Sequence, residues 1–204
     1  VVILEHTKNI LIFLERMMYM STLNTPNRIL IKDMTSMEAT LLYYLVKSDV
    51  FRGHLVKLSF SEFYLKAFGE IYKAGNSRKM QIDFNNAIDH FERLGLVSMV
   101  SDSHNCKIVD ISNLYKSNIG SPILLITLNS NCHKIFKDLD VTKYVKLKIF
   151  KTYMYILTVD YMVDSDGSEY LPDKRACKDL GLSYNTYNKY LKYLKDMKLI
   201  NIDE

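Results

Sequence analysis

The sequence predicts a mainly helical α+β chain with small β-hairpins, on three observations. Seven Gly and three Pro in 204 residues leave few turn-formers. Apolar residues recur at helical spacing in several capped segments, whereas β-prone runs are short. Two stretches of the chain also carry the same succession of helices. With 48% hydrophobic and 25% charged residues the composition is globular, which excludes disorder and collagen. The longest apolar runs, 10–14 and 123–126, fall far short of the roughly 20 residues of a bilayer span. Glu15-Arg16 breaks the first run, and no signal-peptide cleavage site follows. Cys106, Cys132 and Cys177 are odd in number and not closely paired, so a reducing cytoplasm is the expected setting. The net charge of +4 permits an anionic partner without requiring one.

Residues 5–20 read as a helix with Leu11, Leu14 and Met18 on its apolar face. Residues 21–27 read as a linker, because Pro26 cannot continue a helix and Asn27 favours a turn. The run 28–31 reads as a short strand. A helix follows, capped by Thr35 or Ser36, with Glu38 in its first turn and Leu41, Leu42, Leu45 and Val46 along it. A brief strand is expected at 54–60, and Ser61 with Glu62 then opens a helix through Phe63, Leu65 and Phe68 to Gly69. After a turn at 73–77, a helix at 78–94 ends on Gly95, a residue suited to the position just past a helix. The runs 96–101 and 106–112, joined by 102–105, form a hairpin by composition. One more β-prone run, 123–128, lies in the connection 113–129. Helices are expected at 130–139 and 142–163, followed by a polar turn at 164–168. A short helix from Pro172 or Asp173 to Leu180 comes next, then Gly181, and a last helix capped by Ser183 runs through Lys198.

Laying residue 40 on residue 152 superposes Thr40-Leu41-Leu42-Tyr43-Tyr44-Leu45 on Thr152-Tyr153-Met154-Tyr155-Ile156-Leu157, and Phe68-Gly69 on Leu180-Gly181. With a shorter turn before the third helix, Phe84, Ala87, Ile88, Phe91, Leu96 and Val97 fall on Tyr187, Tyr190, Leu191, Leu194, Leu199 and Ile200. Each set follows the stripe of one buried helical face. The expected division is therefore 1–27 as lead-in helix and linker, 28–115 as a first unit, 116–141 as a connecting segment and 142–204 as a second unit.

The segment Leu180-Gly181-Leu182-Ser183-Tyr184-Asn185-Thr186-Tyr187, continuing through Asn188-Lys189-Tyr190 to Leu199-Ile200, resembles the helix, turn, Ser-x-x-Thr-apolar and Leu-Ile ending of bacterial winged helices. It departs at Lys198, where that pattern usually has Gly. The first unit keeps Gly in Leu94-Gly95-Leu96-Val97 and adds a wing at 96–112; in the second unit the wing is absent or truncated. Two such winged helix-turn-helix domains in tandem, joined by a β-prone run and a Lys-rich helix, look like plasmid or phage replication initiators. That resemblance implies binding of double-stranded DNA, with one module on an origin repeat and the other on a second patch or in a homodimer.

In that plan the third helix lies in the major groove, where amides pair with adenine and lysines with guanine or phosphate. The last helix offers Tyr184, Asn185, Asn188, Lys189, Lys192 and Lys195, and 184–198 holds four Lys against one Asp. The helix at 78–94 offers Arg78, Lys79, Gln81, Asn85 and Asn86. In the wing, His104, Asn105 and Lys107 face the same task. The strongest charge concentration is 134–151, where Lys134, Lys137, Lys143, Lys146, Lys148 and Lys151 stand against Asp138 and Asp140, an expected phosphate anchor.

Other chemistries find little support. Cys132-His133 and His104-Asn105-Cys106 lack the spacing and partners of a metal site. Asp164-x-Asp166-Gly167-x-Glu169 lacks the twelve-residue pattern of a calcium loop and reads as a turn. Neither GxGxxG nor GxxxxGK[ST] occurs, and the Tyr and Phe fall mostly on apolar faces. The expectation is a non-enzymatic protein with no cofactor and no membrane contact. A transcriptional regulator, or a winged-helix module docking a replication or segregation protein, remains the alternative.

Overall fold

The computed structural model describes residues 22–25, 28–49, 53–73, 77–103, 106–114, 124–127, 130–160 and 173–200. The helix expected at 5–20, the turn at 164–168, and His104 and Asn105 lie outside the described residues. In chain order the elements are β1 (Thr22–Thr25), α1 (Arg28–Asp33), α2 (Ser36–Asp49), β2 (Leu55–Leu58), α3 (Phe60–Phe68), α4 (Arg78–Arg93), β3 (Ser98–Ser103) and β4 (Cys106–Asp110). After a 3-10 turn at Ser112–Leu114 come β5 (Leu124–Thr127), a 3-10 turn at Ser130–His133, α5 (Lys134–Lys137), α6 (Lys143–Asp160), α7 (Asp173–Leu180) and α8 (Tyr184–Asp196). The fold is thus mostly helical, with a three-stranded antiparallel sheet ordered β2-β4-β3 and a separate antiparallel pair, β1 with β5.

Local chemistry explains most of these boundaries. Thr35 and Glu38 form a reciprocal cap on α2: the Thr35 Oγ1 accepts from the Glu38 amide at 3.2 Å, and Glu38 Oε2 accepts from the Thr35 amide. The second Glu38 oxygen lies 2.6 Å from His90 Nδ1, tying α2 to α4. Ser59 caps α3 and Gly69 ends it in the left-handed region. The cap on α3 is therefore Ser59, two residues before the expected Ser61.

Helices α2 and α6 each bury or half-bury most of their described side chains and pack on one another, the most extensive helix pair among the described residues. Each carries a buried Thr whose Oγ1 donates back to the carbonyl four residues earlier: Thr40 to Ser36 and Thr152 to Lys148, both at 2.9 Å. These are the two threonines that the internal repeat superposes. The buried side chains form one continuous core, with the Phe150 ring tilted against Tyr43 at 5.1 Å and against Phe136 at 5.0 Å.

The repeat is also visible at the ends of the third helices. Leu94, Gly95 and Leu96 donate backbone bonds to His90, Glu92 and Phe91; Met197, Lys198 and Leu199 donate to Tyr193, Lys195 and Leu194, the superposed positions. Gly95 has φ 68° and Lys198 φ 56°, so the lysine occupies a left-handed site that favours glycine. Lys198→Gly is therefore expected to stabilise the protein by about 0.5–1 kcal/mol, and Gly95→Ala to destabilise it by about 1 kcal/mol through backbone strain alone. A Cβ on Gly95 would meet nothing within 4 Å. Urea unfolding of both variants checks this; a less stable Lys198→Gly protein would contradict the backbone argument.

The structure corrects three further expectations. The run at 28–31 is the helix α1, not a strand. Its β-branched content suits a strand, but α1 packs on α6 and α7 with Ile31 fully buried, and tertiary contact overrides propensity. The linker at 21–27 contains β1, whose partner β5 lies about a hundred residues downstream in sequence, with Thr22 opposite Thr127. The expected helix at 130–139 is a 3-10 turn followed by the single turn α5. Leu199 and Ile200 are buried yet not in a strand, so among the described residues the hairpin β3–β4 has no counterpart after α8.

Candidate nucleic-acid interface

The α7–turn–α8 pair is assembled by short-range signals. Gly181 at φ 62° reverses the chain, and the Leu182 amide closes on the Cys177 carbonyl at 2.9 Å. Ser183, in extended conformation, accepts the Thr186 amide at 3.3 Å and opens α8. Tyr187, Tyr190 and Leu194 are buried, with Leu191 half-buried beside them, as the repeat requires. On the other side Tyr184, Asn185, Lys189, Lys192 and Lys195 are exposed and Asn188 is half-buried. Lys189 Nζ lies 5.8 Å from the Tyr193 ring centre.

Helix α7 adds Lys174, Arg175 and Lys178, all exposed and all outside the residues expected to contact DNA. Their i, i+1, i+4 spacing, before a helix rich in lysine, was the signal that could have found them. Residues 173–200 hold seven Lys or Arg against three Asp. One of the three, Asp179, is turned inward: its carboxylate accepts from the Tyr155 hydroxyl at 2.6 Å and lies 3.3 Å from Lys32 Nζ. Burial acts to raise its pKa, but the Tyr155 and Lys32 contacts outweigh that and hold the carboxyl below its ordinary value. The outward face of the unit is correspondingly basic.

The first unit presents a different surface. Arg78, Lys79 and Asn86 are exposed on α4, whereas Gln81 and Asn85 are half-buried. Gln81 accepts from the Tyr72 hydroxyl at 3.0 Å. Lys79 Nζ lies 5.6 Å from the ring centre of Tyr144, whose hydroxyl donates to Asp83 at 2.9 Å. Burial, with Asp83 adding to it, pushes the Tyr144 phenol up to about 12. Residues 28–115 carry eleven Lys or Arg and ten Asp or Glu, so this unit is close to neutral. In the hairpin, Lys107 pairs with Asp102 at 3.0 Å and has Asp89 at 3.9 Å.

The lysine cluster at 134–151 is not one exposed patch. Lys143 pairs with Glu70 at 2.7 Å, a contact that raises its pKa and lowers that of Glu70. Lys146 Nζ donates to the Phe136 carbonyl at 2.7 Å, and Lys151 Nζ to the Lys32 carbonyl at 3.1 Å, closing the C-terminal end of α1. Burial lowers the Lys151 pKa. Lys137 and Lys148 are exposed and Lys134 half-buried.

Among the described residues no group of three His, Cys, Asp or Glu side chains is placed to hold a metal, and no helix is long and apolar enough to cross a membrane. Comparison with protein-family models, curated proteins and solved structures returns no match to this chain.

Proposed function

We propose that this chain is a non-enzymatic, cytoplasmic, double-stranded DNA-binding protein of tandem winged-helix type, of the kind that initiates replication of a plasmid, phage or other mobile element. The observation that carries the reading is α8: an aromatic and leucine stripe holds it to the core while Asn185, Lys189 and Lys192 stand clear on the opposite side. The order α2, β2, α3, α4, β3, β4 with sheet order β2-β4-β3 supports the winged-helix assignment of the first unit. The superposed helix ends support a second, related unit.

In this reading α8 enters the major groove. Asn185 and Asn188 read adenine edges, Lys189 and Lys192 contact guanine or phosphate, and the cations of α7 hold the flanking backbone. A protein-contact role for the first unit is favoured by its neutral surface and by exposed Ile82, Leu94 and Val100; a second copy or a replication protein would fit there.

The test is a gel shift on random duplex across a salt series. Each neutralised phosphate contributes a slope of about −0.9 in log K against log salt, so about four contacts give roughly a 100-fold loss between 50 and 200 mM. Absence of binding, or binding without a salt slope, would leave a protein-docking module. Initiator and regulator then separate on whether the chain supports replication of a plasmid carrying its selected site or alters transcription alone.

A further inference from the structure

Between α2, β2, α3 and α5 lies a cavity of about 550 Å³ that the proposed DNA contacts leave unused. Its walls are aromatic, from Tyr43, Tyr44, Phe63 and Phe136, and its rim is basic, from Lys47, Lys57, Lys66 and Lys137. All four lysines are exposed residues. Glu62 is the one carboxylate among the described lining residues, and Lys66 already pairs with it at 2.7 Å. The volume falls within the range of small-molecule pockets, and aromatic walls with a few convergent polar groups are their usual composition.

Two phenols deepen the case. The Tyr44 hydroxyl is sealed from solvent and makes no hydrogen bond of ordinary geometry among the described residues, although Tyr44 is only 7% exposed. Its polar neighbours are Lys66 and Ser48, both lining the cavity. The Tyr43 hydroxyl accepts from Lys47 Nζ at 3.4 Å and from Cys132 Sγ at 3.3 Å, which leaves its own proton to give. Burial pushes both phenols up, so both remain protonated. Lys47 and Lys66 each hold Nζ 5.5 Å from a ring centre, Tyr43 and Tyr44 respectively, bringing charge onto the aromatic wall. The lining is rich in cations and donors and poor in free acceptors.

We infer that this cavity binds a small organic anion, an aromatic body carrying one carboxylate or phosphate, with the ring against the half-buried Tyr43 and the charge between Lys47 and Lys66. The ring term excludes a bare inorganic ion as the preferred ligand, and the cationic rim excludes a neutral ring.

The probe is the aromatic sulfonate 1-anilinonaphthalene-8-sulfonate, titrated against the full chain by fluorescence. One site is expected, with the uncharged N-phenyl-1-naphthylamine binding about 10-fold more weakly. Lys47→Gln combined with Lys66→Gln should weaken the sulfonate about 10-fold while leaving the thermal midpoint and the uncharged probe unchanged; Ala67→Trp, which fills the cavity, should weaken both probes. Displacement by salicylate identifies carboxylate as the natural charge, displacement by AMP identifies phosphate, and inorganic phosphate should displace neither probe. Undiminished sulfonate binding in the double lysine variant would overturn the inference. So would failure of both salicylate and AMP to compete, or competition by random duplex DNA, which would assign these lysines to nucleic-acid backbone instead.

Discussion

A chain carrying Asn188→Ala and Lys189→Ala is expected to lose about 100-fold in affinity for a duplex selected from a random pool, while its affinity for unselected duplex falls less than about three-fold. An amide or lysine on a base edge is worth about 1–3 kcal/mol of discrimination, and two neighbouring contacts compound. Unselected duplex is held by phosphate contacts, of which this variant removes one at most. Asn188 is half-buried, so a melting curve must accompany the binding assay. The contrasting pair is Lys146→Ala with Lys148→Ala, which should weaken both duplexes alike. The Lys146 ammonium is engaged with the Phe136 carbonyl, so its removal should register mainly as lost stability and leave the binding effect to Lys148. Equal losses on selected and unselected duplex from the α8 variant would mean that α8 holds phosphates and reads no bases.

Phe150→Ala is expected to cost about 3–5 kcal/mol, the range for emptying a fully buried aromatic site. Phe150 lies on α6 and touches Tyr43 of α2, Phe136 of α5 and Tyr153 of its own helix, so its ring joins side chains from both halves of the repeat. Because the buried residues are continuous across the α2–α6 contact, the loss should spread to both halves. Hydrogen exchange reads this directly: protection of α4 and α8 amides should fall by the same free energy. A fall confined to α8 and α7 would show that the two units unfold separately and that the shared core does little to couple them.

The features legible in the sequence are those whose cause lies within a turn or two of the residue concerned. The Ser183 cap, the left-handed ends at Gly69, Gly95 and Gly181, and the buried stripes of α4 and α8 follow from spacing that any reader of the chain can count. The equivalence of Thr40 with Thr152 is visible as an alignment, and the structure gives it a reason, since both threonines are buried and each hydroxyl is satisfied within its own helix. Charge is less legible. Six lysines within 134–151 form a cluster in sequence, yet three of them reach a distant carboxylate or a carbonyl. A lysine side chain extends several ångströms on a flexible stem, so its position along the chain does not say where its ammonium goes.

Taken by itself, the amino-acid order determined the helical character, the internal repeat and the polar flank of the last helix, because caps, periodicity and turn residues act through neighbouring backbone groups. Only the tertiary structure decided that residues 28–33 coil instead of extending, that residues 22–25 pair with 124–127, that Asp179 turns inward to Tyr155, and that four lysines ring an aromatic cavity. Each of these depends on a partner brought close by folding from far along the chain, and such partners leave no local trace in the order of residues.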